Sequence, residues 1–220
     1  MSKHSKRQPD RRKPTRQLRR YLIVCEDAES SRNYFESFEI KATHLQVEAV
    51  GLGRNTDSLM AKAIELKNKG NYIKVWCVFD RDASNMGKPG FPTENFNRAF
   101  ELAKNNGITA IWANDSFELW YLLHFAPRTS AIMRDKIIEE LEKPNRLGKK
   151  YDKGDKAIFS KLHEKRAIAI KNSKALHKHH KANTPSERFG IQNENPSTNI
   201  HLLVGTLENF MKDLEDIVEE

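Results

Sequence analysis

The sequence predicts an α/β protein with a mostly parallel, four-stranded sheet, and three observations carry that expectation. Short β-rich apolar runs alternate with segments of helical periodicity along residues 21–113. Glycine, proline and polar clusters separate the runs. Two of the runs stop abruptly at acidic residues, as strands do when their carboxyl ends open onto a ligand crevice.

The first strand is Tyr21-Leu22-Ile23-Val24-Cys25, leading directly into Glu26. A helix follows over 30–38, with Ser30 and Ser31 as caps, then a short strand through Leu45, Val47 and Val50. The turn Gly51 to Asp57 opens a helix through Leu59, Met60, Ala63, Ile64 and Leu66 that ends at Gly70. This turn fits two uses, a backbone cradle for a phosphate or an ordinary turn capped by Asn55 or Thr56. The central strand spans 73–79 and reaches Asp80-Arg81-Asp82. Gly87, Pro89, Gly90 and Pro92 then predict an irregular loop, placed as a lid beside the acids. A helix through Phe96, Ala99, Phe100 and Ala103 stops at Gly107, and Thr109 to Ala113 forms the fourth strand.

Asp80 and Asp82 are two residues apart, so on an extended strand their carboxylates point the same way. Two acids brought together in this way require a cation, and hard oxygen donors suit Mg²⁺ or Mn²⁺. Turn and helix-cap aspartates use the same letters. The preceding apolar run and the matching Glu26 favour a metal site, in which Glu26 is the third carboxylate if its strand neighbours the central one. Glu118 admits two readings, an outer metal ligand or a capping-box partner of Asp115. Arg81 points to the opposite face and reads as structural, and His124 reads as packed among Leu119, Trp120, Leu122, Leu123 and Phe125. No Walker lysine motif occurs, which argues against ATP hydrolysis by this chain.

The net charge of +8 is unevenly placed. Residues 1–20 carry nine Lys and Arg against Asp10, and residues 143–190 carry fourteen against four acids. An acidic body therefore bears a basic lobe and a basic tail, the footprint of phosphate-backbone binding. Tyr151, Lys153, Lys161, Lys165 and Arg166 are the residues proposed to grip a nucleic acid, although a solvated helix face has the same composition. Four segments result: a disordered basic tail over 1–20, an α/β core over 21–128, a basic helical lobe over 129–195, and a C-terminal helix over 196–220 packing on the core. Asn195-Pro196-Ser197-Thr198 caps that last helix. The sequence has no apolar run of membrane-spanning length and no apolar leader, so the expected location is cytoplasmic. Cys25 and Cys77 then read as small buried side chains, neighbours across the sheet without a disulfide.

These residues carry a resemblance to the RloB-like proteins, a bacterial family of the TOPRIM (topoisomerase-primase) fold. The matching pieces are Val24-Cys25-Glu26, Asn33-Tyr34-Phe35, Gly51 to Thr56, Val78-Phe79-Asp80-Arg81-Asp82, Phe117 to Phe125, Tyr151 with Lys153, and Asn195-Pro196-Ser197-Thr198. The resemblance implies that Glu26 is the TOPRIM glutamate and Asp80 and Asp82 its DxD pair, binding Mg²⁺ for phosphodiester chemistry on RNA or DNA. It further implies a role in anti-phage (abortive infection) defence beside an ABC- or AAA-type ATPase. Asp27 stands where the family has glycine, Ser30-Ser31 where it has Thr-Glu, and Asn114-Asp115 where it has Asn-Pro. A non-catalytic nucleic-acid-binding subunit and a nucleotidyl transferase are the alternatives.

Overall fold

A computed structural model describes residues 20–41, 43–50, 56–85, 88–89, 92–183 and 194–218. Its strands are β1 (Tyr21–Cys25), β2 (Leu45–Ala49), β3 (Lys74–Asp80), β4 (Ser84–Asn85), β5 (Lys88–Pro89), β6 (Thr109–Asn114) and β7 (Ser197–Thr198). The helices are α1 (Ser30–Glu36), α2 (Thr56–Lys69), α3 (Thr93–Asn105), α4 (Glu118–Leu123), α5 (Arg134–Leu141), α6 (Ile158–Leu162), α7 (Arg166–Asn183) and α8 (Ile200–Val218), with a 3₁₀ turn at His163–Lys165.

The main sheet has the order β2-β1-β3-β6-β7, with all neighbours parallel except β6 and β7. Each parallel step is bridged by a helix, which is what alternating apolar strands and amphipathic segments dictate. Strands covered on both faces alternate between two cores. On one face Leu22, Val24, Val75, Cys77 and Phe79 pack with Leu59, Met60 and Ala63 of α2 and Phe96, Ala99 and Ala103 of α3. On the other, Ile23, Cys25, Trp76 and Val78 pack with side chains from α1, α4, α5, α6, α7 and α8, including Ile137, Leu162, Ala169 and Leu203. The basic segment thus shares a hydrophobic cluster with the sheet.

The fifth strand was not foreseen. Ser197 and Thr198 pair antiparallel with Asn114 and Ala113, and two residues carry no strand periodicity. Side chains extend the pairing: Thr198 Oγ1 donates to the Trp112 carbonyl (2.7 Å), Trp112 N–H donates to Asn199 Oδ1 (2.8 Å), and Asn199 Nδ2 donates to the Ala110 carbonyl (3.0 Å). Thr198 Oγ1 also accepts from Ile200 N–H (3.2 Å), so it caps α8 as expected. The Asn114–Asp115 and Asn195–Pro196 peptides are cis.

Two further expectations change. The segment after Asp82 is partly regular, because Ser84 and Asn85 pair antiparallel with Pro89 and Lys88. Cys25 and Cys77 are both buried and free, yet they face opposite cores. The register sets Cys25 opposite Val78 and Val24 opposite Cys77, and a one-residue offset reverses the face. The turn at 51–55 and residues 1–19 lie outside the described residues.

Candidate metal-dependent site

The parallel registers bring three strand ends together. Because β1 and β3 are neighbours, Glu26 N–H continues the ladder to the Val78 carbonyl (2.9 Å), and Glu26 Oε2 accepts from Asp80 N–H (3.2 Å). On the other side of β3, Arg81 N–H donates to the Ala113 carbonyl (2.9 Å) and Asp82 N–H to the Asp115 carbonyl (3.1 Å). Asp115 Oδ1 then accepts from Ala83 N–H (2.7 Å). Glu118, the first residue of α4, is fully buried just beyond.

Asp80 and Asp82 meet as expected, but for a different reason. β3 ends at Asp80, and Asp82 has left the extended conformation, with φ +46°. Their carboxylates converge on Arg134, whose Nη2 lies 2.9 Å from Asp80 Oδ2 and 2.5 Å from Asp82 Oδ1. Arg134 opens α5, and its backbone N–H donates to Asp115 Oδ2 (3.2 Å), filling one of the donors that a helix start leaves without an intrahelical acceptor. Sequence reading missed Arg134: it stands 52 positions beyond Asp82, in a segment whose only visible signal was helical periodicity.

Crowding governs the protonation of this cluster. Burial raises the Glu26 carboxyl to about 7, the hydrogen bond from Asp80 N–H opposes this, and the charge of Asp82 adds to it. Burial also raises Asp80 well above, and Asp82 above, the ordinary carboxylate value, with the Arg134 charge pulling both back. Burial lowers Arg134, but the charges of Asp80, Asp82, Glu118 and Asp115 together raise it.

A second group lies alongside. Tyr151 Oη donates to Glu118 Oε1 (2.9 Å), and Lys153 Nζ lies 3.7 Å from both Glu118 Oε1 and Asp27 Oδ1. The capping-box reading of Glu118 does not hold, because the Asp115 carboxylate receives Ala83 N–H and Arg134 N–H instead, and the residue at the start of α4, Phe117, makes no side-chain capping bond. Asp27 does cap α1: its Oδ2 accepts from Ser30 Oγ (2.5 Å) and Ser31 N–H (3.3 Å). Where glycine would relax the turn after Glu26, this chain fastens it with Asp27. Tyr151→Phe should cost about 1–3 kcal/mol, since it leaves Glu118 buried with one hydrogen-bond partner fewer. Urea denaturation of Tyr151→Phe, Glu118→Gln and the double variant tests this, and additive losses would count against a shared bond.

The other sequence candidates are exposed or otherwise engaged. Lys161 and Lys165 are exposed. Arg166 pairs with Glu208 (3.3 Å) and stacks over Phe38 and Phe159, with 5.0 and 5.5 Å to the ring centres. Arg81 is buried, donating to Thr93 Oγ1 (2.8 Å). His124 is buried, donates through Nδ1 to the Trp120 carbonyl (2.8 Å), and is lowered by burial to about 4.

Among the described residues no three His, Cys, Asp or Glu side chains converge closely enough to hold a metal ion. The donor set is nevertheless of the right chemistry. Glu26, Asp80 and Asp82 offer hard oxygens, and Glu118 Oε2 is buried without a hydrogen-bond partner among the described residues. The ions such oxygens suit are Mg²⁺ and Mn²⁺. In this arrangement the aspartate oxygens are turned onto the guanidinium.

A five-stranded, mostly parallel sheet flanked by helices, with acids gathered at the carboxyl ends of adjacent strands, defines an α/β protein consistent with a TOPRIM-like fold. Residues 21–207 match the family model of the RloB-like proteins, and the chain belongs to that family. Neither the curated proteins nor the solved structures give a match. Among the described residues no helix is long and apolar enough to cross a membrane.

Proposed function

We propose that this chain is a Mg²⁺- or Mn²⁺-dependent TOPRIM-type nuclease that cleaves phosphodiester bonds in RNA or DNA, in the cytoplasm, as part of bacterial anti-phage defence with an ATPase partner. The observation that carries the reading is the gathering of Glu26, Asp80 and Asp82 where β1 and β3 end side by side. An ion held by these carboxylates supplies charge neutralisation of the phosphodiester and activation of water. Glu26, with a carboxyl raised to about 7, is suited to take and return a proton near neutral pH. Asp80 and Asp82 would hold the ion. Lys153, raised by Glu118 and Asp27 against the effect of its burial, stays protonated and supplies positive charge toward a phosphate oxygen.

A second reading, a nucleic-acid-binding subunit without catalysis, is favoured by one observation: Arg134 already neutralises the aspartates. Incubation of purified protein with tRNA, single-stranded DNA and duplex DNA in Mg²⁺, Mn²⁺ or EDTA separates the two. The nuclease reading expects cutting that EDTA abolishes and that Asp80→Asn reduces about a hundredfold or more, as expected when an electrostatic anchor of the reacting group is removed. Binding of the same nucleic acids without cutting under any metal would favour the second reading.

A further inference from the structure

We propose that Arg134 is a built-in competitor of the divalent ion: its guanidinium takes the seat between Asp80 and Asp82, and the ion enters only when the first turn of α5 releases it. This rests on the metal-dependent reading above. Nη2 reaches one oxygen of each aspartate, Asp80 Oδ2 at 2.9 Å and Asp82 Oδ1 at 2.5 Å, so a single nitrogen does what a cation bridging two carboxylates does. A divalent ion on those oxygens would lie within a few ångströms of a cationic group that is only 17% exposed, and repulsion at that range is strong where water is scarce. The two occupants therefore exclude each other.

The guanidinium sits on a tethered segment with identifiable fastenings. Asp115 Oδ2 holds the Arg134 backbone N–H, and Asn195 Oδ1 accepts from Ile132 N–H (2.7 Å). Asn195 Nδ2 also lies 3.3 Å from Asn114 Oδ1 and 3.6 Å from Met133 Sδ. Segment 132–134 is thus clamped between the end of β6 and the chain entering β7. Arg134 Nε is buried with no hydrogen-bond partner among the described residues, so this arrangement leaves part of the guanidinium unsatisfied by them. A side chain both paired and incompletely satisfied suits a latch with a second position.

The test is Mn²⁺ binding, read from the EPR signal of free Mn²⁺, to the full chain as wild type, Arg134→Gln and Arg134→Gln with Asp80→Asn. The latch predicts that Arg134→Gln binds at least about tenfold more tightly than wild type and that adding Asp80→Asn removes the gain. Equal affinities of wild type and Arg134→Gln overturn the latch and leave the metal reading standing. No binding by either overturns both. Should Arg134→Gln fail to fold, amide exchange of the wild type decides: saturating Mg²⁺ should speed exchange in residues 133–138, and unchanged exchange overturns the latch.

Discussion

Glu26→Gln is expected to make the metal-free protein more stable at pH 8 while ending metal-dependent cleavage. The folded state raises the Glu26 carboxyl from 4.5 to about 7, chiefly through burial. A folded protein that holds a proton more tightly than its unfolded chain loses stability as pH rises between the two values. Below about pH 4.5 the carboxyl is protonated in both states and contributes no such loss. Above about pH 7 the whole loss is present, on the order of 3 kcal/mol from the size of the shift. Glutamine does not titrate and still offers Asp80 N–H an acceptor. Urea unfolding in EDTA at pH 4.5 and pH 8 should therefore show an advantage of the variant that grows with pH. An advantage independent of pH would mean that Glu26 is not perturbed. Added Mg²⁺ should narrow the gap at pH 8, because an ion favours the ionised carboxylate. The cost in cleavage is expected at about a thousandfold or more, since one side chain would lose both its ligand and its proton-transfer roles.

Trp120→Ala is the largest expected loss of stability, about 3–5 kcal/mol. Trp120 is fully buried on α4, with its ring centre 5.1 Å from that of His124 and 6.3 Å from that of Tyr34, both nearly perpendicular. Neighbouring Tyr34 touches Phe35, Phe38, Phe117, Tyr121 and Phe159. The indole is therefore one member of a ring cluster drawn from α1, α4 and α6. In a chain of this length such a loss should lower the melting temperature by about 6–20 °C, read by circular dichroism. Trp120→Phe should recover much of it by leaving a smaller void. A drop of only a degree or two for Trp120→Ala would show that the surrounding rings collapse into the space.

The legible parts of the fold were those with local causes. Strands 21–25, 73–79 and 109–113 announced themselves as apolar runs bounded by polar or turn residues, and Gly107, at φ +59°, marks the end of α3 as the expectation required. Glu26, Asp80 and Asp82 stood out because acids follow apolar runs abruptly. β7 did not, since its pairing depends on hydrogen bonds from Thr198 and Asn199 to residues more than 80 positions away. The segment expected as a basic helical lobe over 129–195 is divided into α5, α6, a 3₁₀ turn and α7, and such breaks carry no local signal in a run of helical periodicity.

The sequence by itself determined the strand and helix order, the parallel character of the sheet and the arrival of acids at its carboxyl edge, because period-two and helical patterns are written in neighbouring residues. Only the tertiary structure decided what neutralises those acids. Arg134, Tyr151 and Lys153 reach the cluster from a segment whose local pattern says only helix or loop, and their place depends on how α5 and the chain after it pack against the sheet. A buried charge finds its partner through space and not through sequence, so the pairing of Arg134 with Asp80 and Asp82 has no local signature.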